Sequence, residues 1–406
     1  MNLTGTQQTF PEAQTAQEGS WWAVGALGVG AFAIVTTEFL PVGLLPAIAT
    51  SLHQTEGSTG LMITVPGVLA AVSALAATVL AGKRDRRSVL VGLVALLALS
   101  NAIVALASDF SVVLIGRVLL GIVVGGFWTL GGPLGARMRP QNKAKAGAVI
   151  LAGVSLGTVA GVPAGALLGE LVGWRWAFGL SSAISLLVML LLVLVLPRMP
   201  TRESRGFDDI RRVARLPEVR LCIAAVMVMY VGQFAAYTFI SPYLLQVTRI
   251  APLALGGVLL AFGVAAFFGN IVGGWIARFG ARIGFLCTTV ILSTALLLLA
   301  LLGDSVGWAV SLSMLWGMGF GMLPIVTQTW LFSSAPKQLE AVQALVVSLS
   351  QVAIGAGSMV GGFLVDGWGI TSSLLAAAGA SLATLLLMGV GTRRARRSRH
   401  REPGAA

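Results

Sequence analysis

The sequence predicts an all-α integral membrane protein of about twelve transmembrane helices, arranged as two related six-helix bundles. Three observations carry that expectation. Of 406 residues, 56% are hydrophobic and only 10% charged, with a mean hydropathy of +0.90. A soluble domain is typically about a quarter charged. Apolar runs of roughly 20 residues, the length that crosses a bilayer, recur along the chain. The Lys and Arg residues collect in alternate breaks between those runs.

The first six runs fall at 21–45, 59–81, 88–107, 111–136, 145–168 and 176–196. The second six fall at 220–246, 254–277, 283–302, 307–332, 341–364 and 370–391. Gly is abundant, with 51 residues, and no strand-like alternation of polar and apolar positions is present. Helices fit this pattern and an outer-membrane barrel does not. Small residues let helices approach closely in lipid, where no hydrophobic force draws them together.

With the N-terminus placed in the cytoplasm, 24 of the 27 cations fall in inner breaks or the C-terminal tail. Arg175 and Arg249 lie in outer breaks, and Arg117 lies within a run. The positive-inside rule therefore expects both termini in the cytoplasm and the chain in the inner membrane. The expected organisation is a polar segment 1–20, a bundle 21–196, a basic linker 197–219, a bundle 220–391 and a basic tail 392–406. Segment 1–20 has no Lys or Arg and is not a secretory signal.

The halves echo each other. GKRDRRSVL after the second run is answered by GGWIARFGARIGF after the eighth, and GELVGW (169–174) by GFLVDGW (362–368). Internal duplication with a site between the halves is a transporter pattern.

The formal charge of +12 follows topology and does not point to nucleic acid; membrane lipid is the partner that the basic linker and tail would meet. Cys222 and Cys287 lie in apolar runs and make no metal or disulfide framework. The GxxxxGK[ST] and HExxH patterns are missing, so neither ATP hydrolysis nor zinc hydrolysis of those types is expected. No cofactor is expected; the energy would come from another domain, another chain or an ion gradient.

Glu38 is the acid placed clearly within a run. Such a residue is expensive in lipid and usually functional, here as a proton carrier. The competing reading is a structural acid held by a helix contact. Arg117 is the cation within a run. Counting from mid-span, Glu38 lies about 7 Å and Arg117 about 9 Å towards the outer side, so the two could meet. Arg117 would then either act directly on Glu38 or satisfy backbone carbonyls freed by kinks.

In the fifth run, Gly153, Gly157, Gly161, Gly165 and Gly169 recur every four residues around Pro163. Such a ridge permits close helix packing, and proline kinks a helix. It is expected either to pack simply or to form a flexible, sealed seam between the halves. Candidate pocket groups are Phe127, Trp128, Tyr230, Gln233, Phe234, Tyr237, Asn270, Trp316, Gln328 and Trp330. Aromatic faces with amide groups suit a planar, mostly neutral solute. Gln233 and Asn270 stand out because a mid-membrane amide needs a partner.

Together these segments resemble the major facilitator superfamily over about 21–391, and within it the twelve-helix drug:proton antiporter branch. RVLLGIVVGG resembles the fourth-helix motif, which implies a proton-coupling role for Arg117. GTVAGVPAGALLG resembles the exporters' fifth-helix motif, and GELVGWRWAF continues it. EFLPVGLLP, GGFW and GQFAAYTFISP resemble the sugar and purine nucleoside efflux members.

One motif departs from the family. After the second run the family has an Asp, a basic residue, a spacer, a Gly and two basic residues. Here Gly82 stands at the Asp position, Lys83 is basic, Asp85 stands at the Gly position, and Arg86 and Arg87 match. The resemblance implies a cytoplasmic latch, with Asp85 acting as substitute or the latch weakened. In the second half Ala277 stands at the Asp position, while Arg278, Gly280 and Arg282 fit. The implied activity is proton-driven efflux by alternating access, acting as a monomer, with a purine nucleoside as first candidate. Sugars or drugs, a proton-coupled importer, and a non-transporting sensor are the alternatives.

Overall fold

A computed structural model describes residues 20–80, 85–131, 134–198, 207–335 and 339–400. Gly82 and Lys83 of the expected latch lie outside these residues, as do most of segment 1–20 and parts of the linker and tail. Among the described residues, twelve helices are long and apolar enough to span a membrane, and there is no strand.

The first half contains α1 (Trp21–Ser51), α2 (Leu61–Leu80), α3 (Arg86–Leu106) and α4 (Phe110–Leu130). It continues with α5 (Lys143–Leu156, a π-turn at Gly157–Gly161, then Val162–Val172) and α6 (Trp174–Val195). The second half contains α7 (Pro217–Tyr237), α8 (Pro252–Ile276), α9 (Ala281–Leu302), α10 (Val306–Ser334), α11 (Leu339–Trp368) and α12 (Thr371–His400).

Local chemistry sets the ends. Ser20, Asp85 and Asp109 accept backbone N–H groups at the starts of α1, α3 and α4, satisfying donors that a first turn leaves free. Pro217 and Pro252 open α7 and α8, where a missing N–H costs nothing. Gly173 (φ 95°) turns α5 into α6, and Gly369 (φ 84°) turns α11 into α12. Both turns use a glycine at positive φ, a conformation that favours glycine, within the first echoed segment and just after the second.

Several expected boundaries move: the last run, expected to end at 391, continues as α12 to His400, and the fifth, expected to end at 168, continues to Val172. α1 runs past 45 to Ser51 through both Pro41 and Pro46. The fourth run, expected to reach 136, stops at Leu130 and is followed by a short helix Leu134–Met138. The seventh, expected to reach 246, breaks after Tyr237 and restarts as a short helix, Ile240–Gln246. Pro242 has no N–H for the Thr238 carbonyl, and the Thr238 hydroxyl donates back to Phe234 O at 2.7 Å.

Packing repeats between the halves. α2 packs on α4 as α8 packs on α10; α3 on α6 as α9 on α12; α1 on α5 as α7 on α11. Across the halves α2 meets α11, and α5 meets α8. The end carrying the α1–α2 and α7–α8 connections is called the outer end here, following the charge distribution.

Candidate functional site

Five of the mid-helix positions in these bundles are prolines: Pro41 and Pro46 in α1, Pro66 in α2, Pro163 in α5 and Pro324 in α10. Each proline leaves the carbonyl four residues earlier without its helical partner. Arg117 of α4 is fully buried and donates Nη1 to Thr37 O at 2.9 Å and Nε to Met62 O at 2.6 Å. Those are the carbonyls freed by Pro41 and Pro66. Its Nη2 donates to Glu38 O at 2.9 Å. Of the two readings of Arg117, the structure displays contact with freed carbonyls. It ties α1, α2 and α4 together and acts on the Glu38 carboxyl only through space. Gly121 and Gly125 let α4 lie against α2, since a side chain at either would strike Pro66, Leu69 or Ala70.

Glu38 is buried, and its carboxylate reaches across to the second half. Gln351 Nε2 of α11 donates to Glu38 Oε1 at 3.2 Å. The neighbouring Thr37 hydroxyl accepts from Asn101 Nδ2 of α3 at 3.0 Å. Next to Glu38, Phe39 stacks on Phe234 with centroids 5.9 Å apart and meets Tyr237 edge-on at 6.1 Å. Around them lie Tyr230, Phe262, Trp316 and Phe320, with Tyr237 and Phe320 stacked at 4.9 Å. Aromatic faces from α1, α7, α8 and α10 thus gather around Phe39, the residue that follows Glu38. Phe39 and Phe320 are half-buried and leave ring surface free for a planar solute.

Of the ten predicted pocket residues, four join this cluster: Tyr230, Phe234, Tyr237 and Trp316. Gln233 lies behind it, fully buried, accepting from Trp316 Nε1 at 2.8 Å and donating to Ser381 Oγ at 3.2 Å. Its amide is satisfied inside the second half and ties α7 to α10 and α12, so it is not turned to a solute. Phe127 is fully buried in the first-half core, with Trp128 edge-on to it. Trp330 donates to Glu218 Oε1 at 3.0 Å near the start of α7, away from the cluster. Asn270 is exposed beside Trp275 and Arg278 on a surface depression of α8, and Gln328 is half-buried on α10.

The expected seam is corrected in its partner. The ridge Gly153, Gly157, Gly161, Gly165 and Gly169 faces α1, meeting Gly28, Phe32, Thr36, Leu40 and Leu44. It packs within the first half. The seam to α8 uses the other face of α5, where Val159 meets Gly263, and Pro163 and Leu167 meet Gly256. Among the latch residues, Asp85 caps α3 by accepting from Arg87 N at 3.2 Å, and Arg87 donates to Val193 O. Arg86 opens α3 beside them. Arg282 forms an ion pair with Glu218, the same carboxylate that Trp330 reaches, joining α7, α9 and α10. Arg278 and Gly280 (φ 139°) form the α8–α9 turn.

At the outer end the halves are joined. The Thr55 hydroxyl and Gly57 N–H donate to Asp366 of α11 at 2.7 and 3.0 Å. Ser358 donates to Gly60 O at 2.8 Å, and Gln246 Nε2 to Glu56 Oε1 at 2.5 Å. Deeper, Gly67 and Gly355 bring the backbones of α2 and α11 together, just beside Gln351 O.

The sequence profile of the Major Facilitator Superfamily matches residues 27–352 and 222–406. The chain belongs to that superfamily. The purine ribonucleoside efflux pumps NepI of Shigella sonnei and of Escherichia coli are each 32% identical to it over 370 residues. The match covers 91% of this chain and 93% of theirs. Among solved structures, a bacterial homologue of the human lysosomal transporter Spinster, inward-facing and occupied, aligns with a TM-score of 0.74 at 16% identity. That match covers 92% of this chain and 97% of the other. The human organic anion transporter MFSD10 aligns with a TM-score of 0.66 at 19% identity, covering 90% and 99%. This multi-pass superfamily protein therefore has the transporter fold expected of it.

Sequence reasoning missed Phe39, Phe262, Phe320 and Gln351. For Gln351 the signal was present: it is an amide inside an apolar run, the criterion applied to Gln233 and Asn270.

Proposed function

We propose that this chain exports a small planar solute, with purine ribonucleosides first, in exchange for protons across the inner membrane. The observation that carries the reading is Glu38: a buried carboxylate within a membrane helix, bonded to the other half and followed in sequence by Phe39, which joins a cluster of aromatic rings. The printed activity of the 32% identical relatives supports the solute class. Phe39 and Phe320 would stack on the base. Glu38 would take a proton from the outer side and release it inside, with alternating access moving the solute the other way. Arg117 supports the proton path by holding the kinked backbone at Glu38. Both termini lie in the cytoplasm in this reading, the protein works as a monomer, and the proton gradient supplies the energy without a cofactor.

Transport of a labelled purine ribonucleoside into inverted vesicles, driven by an imposed proton gradient, tests this. Wild type should accumulate solute as protons leave, and Glu38→Gln should lose at least about tenfold of the gradient-driven rate. Equal rates for the two proteins, or solute moving in the same direction as protons, would sink the reading. Phe320→Ala should raise the apparent KM about tenfold with a smaller change in maximal rate, since one base–aromatic stack is worth ~1–3 kcal/mol.

A further inference from the structure

We propose that Gln351 is the positioning residue that reads the proton on Glu38 and converts it into closure of the outer end. The proposal rests on the reading of Glu38 as proton carrier. Gln351 sits on α11 and Glu38 on α1, so their hydrogen bond joins the halves. It lies where Gly67 and Gly355 bring α2 and α11 into backbone contact, at the base of the outer closure. Only half of the Gln351 amide is used. Nε2 donates to Glu38 Oε1, whereas Oε1 is buried and has no hydrogen-bond partner. Gln351 itself is only 7% exposed. A buried carbonyl without a donor is costly.

A proton on Glu38 removes that cost. The protonated carboxyl would donate its O–H to Gln351 Oε1 while still accepting from Nε2, closing a two-bond ring between the halves. After the proton leaves, the carboxylate offers only acceptors, and the carbonyl of Gln351 faces a negative oxygen. The ring is lost and one bond remains.

Within the spans the pair has few charged neighbours, while Glu56 and Asp366 lie at the tip of the same closure. The charged group acting on Glu38 is Arg117 of α4, already engaged with three carbonyls. α3 presents the neutral Asn101 to the neighbouring Thr37. α2 and α8 carry no charged residue, and those of α5, α6, α7 and α11 lie in their terminal turns: Lys143, Lys145 and Glu170; Arg175; Glu218 and Arg220; Glu340 and Asp366.

The test measures the spacing of the outer end in lipid nanodiscs. Spin labels go on the exposed loop positions Ser108 and Ser305, one in each half, with Cys222 and Cys287 replaced. In wild type the distance should shorten on acidification. Glu38→Gln, whose amide can donate permanently to Gln351 Oε1, should hold the short distance in acid and alkaline buffer alike. Gln351→Met should abolish the acid-induced shortening and, in vesicles, cut gradient-driven transport about tenfold. Gln351→Glu, which regains a donor and an acceptor only when protonated, should restore shortening in acid and open further than wild type in alkali. If Gln351→Met fails to fold, the Gln351→Glu profile decides. Wild-type shortening in Gln351→Met, or an alkaline distance in Gln351→Glu no longer than that of wild type, with Glu38→Gln locked short, overturns the role of Gln351 and leaves Glu38 as proton carrier. A Glu38→Gln protein whose distance still follows pH after Glu56→Gln and Asp366→Asn are added, which neutralise the two carboxylates at the tip of the closure, overturns the proton-carrier reading itself.

Discussion

A guanidinium buried among helices must find acceptors, and Arg117 finds them in backbone that proline has left unpaired. Arg117→Ala should therefore strip donors from the carbonyls of Thr37 and Met62, at ~1–3 kcal/mol for each buried group left unsatisfied. Pro41→Ala restores an N–H that can reach Thr37 O within α1. Combined with Arg117→Ala, it should recover part of the lost melting temperature, measured in detergent. A strictly additive double mutant would show that the Thr37 contact carries no weight. Gln233→Leu makes a second contrast: with its amide bound inside the second half, it should lower stability and leave KM nearly unchanged in the vesicle assay. The sequence made the meeting of Glu38 and Arg117 legible, because residues at equal depth on neighbouring helices can be matched by counting. It also held the proline spacing, four residues after Thr37 and Met62. What it hid was that α2 passes close enough for one side chain to serve both breaks. Gln351 was hidden differently: its partner lies 313 positions away on the other half, and no local pattern pairs them.

Helices were legible as units because hydrophobic length alone separates them, and all twelve spans lie where the apolar runs fall. Their ends depended on individual hydroxyls and prolines, hence the break after Tyr237. Their faces were harder to read. A glycine every four residues declares a close approach without naming the neighbour, and in α5 the neighbour is α1. Replacing Gly161 with Val should therefore disturb the first half as a unit and reduce folded yield, read by size-exclusion chromatography. Gly67→Ala should behave otherwise. An added Cβ there would lie 2.8 Å from Gly355 N and 2.9 Å from Gln351 O on the opposite half. Something must shift, and separating the outer ends is the cheapest movement. The variant should remain folded and show a longer spin-label distance between the outer loops than wild type.

At the scale of the whole protein, the two halves repeat one packing scheme and meet through two related seams, α2 with α11 and α5 with α8. Closure of the outer end is shared among backbone contacts at the glycines, the Glu38–Gln351 bond and the Asp366 contacts with Thr55 and Gly57. Asp366→Ala should remove the last of these and raise the reactivity of a near-isosteric Ser358→Cys, buried at the same closure, towards a membrane-impermeant thiol reagent, by several fold. Unchanged labelling would mean that the tip contacts do not hold the end shut. The pseudo-symmetry was visible in two short echoes, but the asymmetry that matters, a buried acid and a buried guanidinium found among the described residues in the first half only, has no counterpart to point to it. The guanidinium that serves both proline breaks also has an evolutionary consequence. Pro41, Pro66 and Arg117 are three codons with one shared selective fate: a lineage that loses either proline relaxes the demand on the arginine, whereas one that loses the arginine first inherits two wounded helices. A mutational scan begun in a Pro41→Ala background should accordingly tolerate a wider choice of residues at position 117 than the same scan begun from wild type.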